Sequence, residues 1–138
     1  MLFVEEIAQQ IIQRGLAAPA PSSAVAELVV GEFVESPNTQ VRLMETGGFG
    51  GGLRVHERPG AKYVLQTLQI AVRGVLYEKT RQTCQDLYVF FDGGIRNSTL
   101  SGTFYLSLDV LQPPSFLGRD ESDRWFFGFN VAALKQPS

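Results

Sequence analysis

Few residues in this chain have types and spacings that could support chemistry, and none of them completes a reactive set. Gly47-Gly48-Phe49-Gly50-Gly51-Gly52-Leu53 has the glycine density of a phosphate-cradling loop. It lacks the Gly-Lys-Ser/Thr ending and opens no predicted helix, and anion cradling needs both the cation and the helix N-terminus. Two readings stay open for it, an arm that orders on a partner and a solvated loop. Phe49 favours the arm, because an aromatic ring set among glycines has little to bury against at home. His56 is the sole histidine and sits beside Glu57 and Arg58. General acid–base work or a zinc site would need a nucleophile or further ligands around it, so a surface hydrogen-bonding role is preferred. Cys84 is the sole cysteine. It falls on the apolar stripe of a predicted helix and reads as a buried thiol rather than a nucleophile.

The densest polar cluster is Arg119-Asp120-Glu121-Ser122-Asp123-Arg124, a turn that follows Gly118 and lies between apolar stretches. Its carboxylates are flanked by arginines, which does not suit a catalytic acid–base pair. One reading is local: Asp120 accepts backbone N–H groups and Arg124 pairs across the turn, with exposed pairs of this kind contributing about 0–1 kcal/mol each. The other is an interface between subunits, where truncating one member would matter several times more. Trp125-Phe126-Phe127-Gly128-Phe129 follows and is aromatic on both faces. Trp125, Phe127, Phe129 and Val131 share one face. Phe126 points the other way and would meet water in a monomer, which predicts self-association.

The elements that must position these groups follow from periodicity. Phe3 to Gly15 reads as a helix, with Val4, Ile7, Ile11 and Ile12 on one face, Glu5 and Glu6 in the first turn and Gly15 as its stop. Ala17 to Ser23, with Pro19 and Pro21, is a stiff extended connector. Ala24 to Val34 and Thr39 to Glu45 read as strands joined by a Ser36-Pro37-Asn38 turn, and should pair as a hairpin. Gly47 to Gly60 is a loop. Tyr63 to Arg73 is a strand with Val64, Leu68, Ile70 and Val72 on one face, interrupted by Gln66. Tyr77 to Phe91 is a helix with Tyr77, Thr80, Cys84, Leu87 and Phe91 on its apolar stripe, capped by Gly93 after Asp92. Thr103 to Leu111 is a strand stopped by Pro113-Pro114, and Arg124 to Ala132 closes the sheet. The expected architecture is a single α+β domain over residues 1–138. Two helices cover one face of a mostly antiparallel or mixed sheet of about five strands.

Composition narrows the partners. The 138 residues carry a formal net charge of −2, which does not fit a dedicated nucleic-acid binder that must displace counterions with clustered Lys and Arg. Charged residues make up 19%, fewer than usual, which fits surface hidden against a partner and also fits a plain small domain. A lone cysteine forms no intrachain disulfide and suits a reducing compartment. The N-terminus has no basic region before its apolar residues and does not read as a signal peptide. No apolar run approaches the ~20 residues needed to span a bilayer.

Four pieces recur in a recognisable order: Ser36-Pro37-Asn38, Glu45-Thr46-Gly47-Gly48, Leu68 to Tyr77 with its Arg73-Gly74, and Pro114 to Asn130 with its Gly118-Arg119-Asp120 and Arg124-Trp125. Their order and spacing, over roughly residues 27 to 133, resemble the tail terminators of long-tailed bacteriophages, also called minor capsid proteins. The resemblance implies a structural virion protein with no catalytic residues and no cofactor. It implies a ring, usually hexameric, on the head-proximal end of the tail tube. That ring stops tube polymerisation and meets the head–tail connector or head-completion protein. Expected partners are therefore other copies of the chain, the tail tube protein and the connector, with DNA passing through unbound and no membrane. Assembly would take place in the host cytoplasm. The glycine run after Gly47-Gly48 departs from the family, which often has a shorter, Pro-containing or charged segment there. The interface residues expected from the sequence are Phe49, Arg119, Asp120, Asp123, Arg124 and Phe126. Two competing functions remain: another neck or tail-tube component of similar fold, and an enzyme acting on a small ligand through His56 or Cys84.

Overall fold

A computed structural model describes residues 3–19, 27–33, 38–46, 53–54, 64–92 and 95–136. Helix α1 spans Phe3–Gln13 and buries Phe3, Val4, Ile7 and Ile11. Its end is a Schellman motif: Leu16 N–H donates to Ile11 O at 3.2 Å and Gly15 N–H to Ile12 O at 3.0 Å. Gly15 takes the left-handed residue, φ +71°. Helix α2 spans Tyr77–Phe91 and buries Thr80, Cys84, Leu87 and Phe91. No side chain caps its start. Thr80 Oγ1 instead donates back to Leu76 O at 2.6 Å. Gly93, the expected cap at its other end, lies outside the described residues.

Among the described residues nine strands form one mixed sheet: β1 Ala18–Pro19, β2 Glu27–Val30, β3 Gln40–Glu45, β4 Leu53–Arg54, β5 Val64–Gly74, β6 Ile95–Leu100, β7 Thr103–Val110, β8 Ser115–Arg119 and β9 Trp125–Lys135. The main path runs β1-β2-β3-β5-β9-β7-β6, with β4 on β5 and β8 on β9. The α+β class and the two helices agree with the sequence reading, and the sheet is larger than the five strands expected. The long central strands β5 and β9 pair antiparallel over their full length, Val64↔Lys135 to Gly74↔Trp125. Residues opposite each other in such a ladder share a face. Val41, Val72 and Phe127 therefore form one row, and Leu43, Ile70 and Phe129 the next. Both rows are buried in one core with Ile7 and Ile11 of α1 and Cys84, Leu87 and Phe91 of α2, so both helices cover the same face.

The expected hairpin between the second and third strands is corrected by the register. β2 and β3 run parallel, Glu27↔Gln40 to Val30↔Leu43. The chain leaves β2 at Gly31, φ +94°, whose N–H donates to Leu43 O at 2.9 Å. It thus departs at Gly31, before the Ser36-Pro37-Asn38 turn that the hairpin reading relied on. Just past Gly31, Phe33 lies over the face of the sheet that no helix covers.

The far side of β9 is shared. β8 pairs with its first half, Ser115↔Gly128 to Arg119↔Trp125, and β7 with its second half, up to Tyr105↔Lys135. Pro113-Pro114 stops the ladder as expected, but only for a few residues, and β8 then resumes it. Strands β6 and β8 went unread because their residues show little alternation.

Candidate functional site

The β8–β9 hairpin carries five of the six residues expected to act, and it brings four of them, Arg119, Asp120, Asp123 and Arg124, together at its turn. Asp120 Oδ1 accepts the backbone N–H of Ser122 at 3.0 Å and of Arg124 at 2.9 Å. Its Oδ2 accepts Arg124 Nε at 2.7 Å. Asp120 N–H donates to Arg124 O, and Asp123 N–H to Asp120 O, both at 3.1 Å. Burial alone would raise the Asp120 carboxyl. The backbone and guanidinium donors of Arg124 and the Ser122 N–H outweigh it and hold the group below the usual carboxylate range. Arg124 is buried. Around this inner pair lies an outer one, Arg119 to Asp123 at 3.0 Å, with the Asp123 carboxylate largely in water. Arg119 also stacks on Trp125, its guanidinium carbon 4.2 Å from the ring centroid. Asp123 holds φ +59°, which Asp tolerates better than most residues. The local reading of Asp120 and Arg124 thus describes the geometry: they fix the shape of the turn, while Glu121, Ser122 and Asp123 stand exposed at its tip.

Phe126 lies on the helix-free face, as the alternation requires, but it is not left to solvent. It is half-buried and stacks on Phe33 with ring centroids 5.3 Å apart and planes 16° from parallel. The guanidiniums of Arg42 and Arg73 approach Phe33, 4.9 and 5.0 Å from its centroid. Arg73 is anchored by Nε to Asn38 O at 3.1 Å, and Arg42 bonds Gln69 Oε1. The connection from β2 to β3 supplies the cover that was expected from a partner. Phe49 and His56 lie outside the described residues.

The surface that does stand open was missed from sequence. Val75, Leu76, Tyr77, Phe116 and Leu117 are all exposed. Tyr77 packs edge-on against Trp125 at 5.0 Å and Phe127 at 5.2 Å, and Phe116 meets the same two rings at 5.8 Å. These residues form one apolar corner beside the charged turn. Tyr77 was read as core because it falls on the α2 stripe, but as the first residue of the helix it lies at the rim. Phe116 had no visible alternation to mark it.

Nothing in this corner amounts to a reaction centre. Among the described residues no group of three His, Cys, Asp or Glu is placed to hold a metal. Burial pushes the Cys84 thiol up to about 12, which leaves it unreactive. What the corner offers is contact: an apolar centre with a charged rim.

Residues 10–136 match the family described as bacteriophage tail terminator protein. The chain belongs to that family. No curated protein matches it. The match takes in every strand and α2, and so includes the β8–β9 turn and the apolar corner. Tail terminators are structural proteins of the phage tail rather than enzymes, and their place is the virion. No helix among the described residues is long and apolar enough to cross a membrane.

Proposed function

We propose that this chain closes as a homo-oligomeric ring, hexameric as the resemblance implies, at the head-proximal end of the phage tail tube. There it stops tube polymerisation and joins the tail to the head–tail connector or head-completion protein, with DNA threading the ring unbound. Assembly takes place in the host cytoplasm and the product is part of the neck. The observation that carries this reading is the family match over 10–136. The exposed apolar corner beside a rigid charged turn supports it. A closed ring needs heterologous contacts, so each subunit shows two different patches. Each contact must bury at least about 1,000 Å² to be stable. A terminator must also bind the tube on one side and offer further tube subunits nothing on the other, which is specificity by exclusion. In this reading Arg119 and Asp123, at the exposed turn, meet a neighbouring subunit or the tube. Asp120 and Arg124 keep the turn in shape, and Phe126 holds Phe33 in place. Phe49, in the glycine run, is a further candidate contact.

Tube assembly in vitro tests the proposal. Tail tube protein incubated alone should grow long tubes, and adding this chain should arrest growth and leave short, capped ones under negative stain. Tubes of unchanged length, with this chain built in along them, would instead make it a tube component.

A further inference from the structure

We infer that two copies of the free chain pair about a two-fold axis through the apolar corner, with Glu121 of each copy set against Arg81 of the other. This contact goes beyond the ring reading and does not depend on it.

The corner carries an unpaired charge at each end. Its apolar centre is Tyr77, Phe116 and Leu117, all exposed. Beyond Arg119↔Trp125, where the β8–β9 ladder ends, stands the turn, with Glu121 exposed at its tip. Helix α2 starts at the same corner and runs away from the turn. Tyr77 at its start meets Trp125 and Phe127, and Tyr88 further along meets Phe129 at 5.8 Å. Arg81 follows Tyr77 by one helical turn, about 6 Å along the axis. It is exposed, and with Tyr77, Glu78, Gln82 and Gln85 it lines a groove of about 290 Å³. Neither Glu121 nor Arg81 has an ion pair or side-chain hydrogen bond among the described residues.

An apolar centre with an acid at one end and a base at the other is complementary to itself. Half a turn about an axis through Phe116 lays one centre on the other and carries each Glu121 towards the Arg81 groove of the second copy. The two halves of the contact share one small patch, so they mate as an isologous pair that joins once and stops. The turn is already shaped for docking. Asp120 and Arg124 lock it from within, so its tip loses little freedom on contact. Side chains rather than backbone carry the joint. Among the described residues no strand lies outside β8, but a bulge between Phe116 and Gly118 breaks the register there, a device that guards an edge against an added strand. An apolar centre with charges at its rim remains. A two-fold pair cannot propagate around a ring, so it belongs to the unassembled chain. There it covers a corner that would otherwise stand in water.

Native mass measurement of the purified chain, with no tube protein, tests this. The expected species is a dimer. Glu121→Lys and Arg81→Glu each set like charges together at both ends of the contact, and each should raise the dimer dissociation constant about tenfold or more. The double variant exchanges the charges and should recover the dimer. A one-to-one mixture of the two single variants should recover it too, as dimers with one copy of each. Both sites are exposed, so circular dichroism should stay native. If one variant fails to fold, the other decides, together with the native dimer, which should weaken as salt is raised. A monomeric native chain, a larger closed ring in place of the dimer, or a dimer untouched by these substitutions overturns the inference. A dimer that never arrests tube growth leaves it standing and overturns the ring reading alone.

Discussion

Lys135, the last residue of β9, and Glu6, in the first turn of α1, form an ion pair at 3.2 Å in which neither side chain reaches solvent. The Tyr105 hydroxyl donates to the same Glu6 oxygen, Oε1, at 2.7 Å. Burial first, and then the hydrogen bond and charge of Glu6, push that phenol well above its ordinary range. The Lys135 ammonium also stands over the Phe3 and Tyr105 rings. This triad ties the N-terminal helix to the C-terminal end of the sheet. Glu6 Oε2 is buried without a hydrogen-bond partner, so the arrangement is not fully satisfied.

Breaking the pair by half should therefore be worse than removing it. Lys135→Met alone leaves a buried carboxylate unpaired and should destabilise by about 3–5 kcal/mol. Adding Glu6→Leu to it should recover much of that loss, since apolar groups of similar volume replace two desolvated charges. Urea unfolding of the two single variants and the double variant gives the coupling. Additive losses would show that Glu6 and Lys135 do not interact.

The Asp120 carboxyl is held below its unfolded value, so it contributes stability above about pH 4 and loses that contribution as pH falls through its folded value. Asp120→Asn should be less stable than the native chain at pH 7, and the gap should narrow in acid. Thermal unfolding measured at pH 7 and near pH 3 checks the sign. A gap that widens in acid would contradict the network of donors around this residue.

Phe33 and Phe126 should behave as a pair within one chain. Their coupling in a double-mutant cycle with alanine should be about 0.5–1.5 kcal/mol. Phe126→Asp should lower the stability of the monomer itself, because it puts a charge under the Phe33 ring. Zero coupling would return Phe126 to the surface and to a role in assembly alone.

Cys84 reports on folding. With its thiol raised to about 12 by burial, it should resist iodoacetamide at pH 8 in native protein and react at the rate of a free thiol in urea. Rapid labelling of the native chain would mean that α2 opens readily.

Much of the fold was legible because it rests on period. The α1 stripe of Val4, Ile7 and Ile11, the Gly15 stop, the β5 alternation and the β9 aromatics each follow from one local rule, and the structure places them as those rules require. The rest depended on partners distant in sequence. The parallel pairing of β2 with β3 could not be read from a Ser-Pro-Asn turn that suggests a hairpin, since the decisive turn is at Gly31. Glu6 looked like an ordinary first-turn carboxylate, and only Lys135, 129 residues away, makes it a core residue. At the candidate site the Asp120–Arg124 contacts are local and were visible. The cover over Phe126 comes from Phe33 and was not. Nor was the exposure of Tyr77 and Phe116, which depends on where α2 starts relative to the end of the sheet.

The most direct test of the account is the position of this chain in the finished particle. Immunogold labelling of intact virions should place a single cluster at the junction of head and tail. Label spread along the length of the tail, or confined to its distal tip, would contradict a ring that terminates the tube.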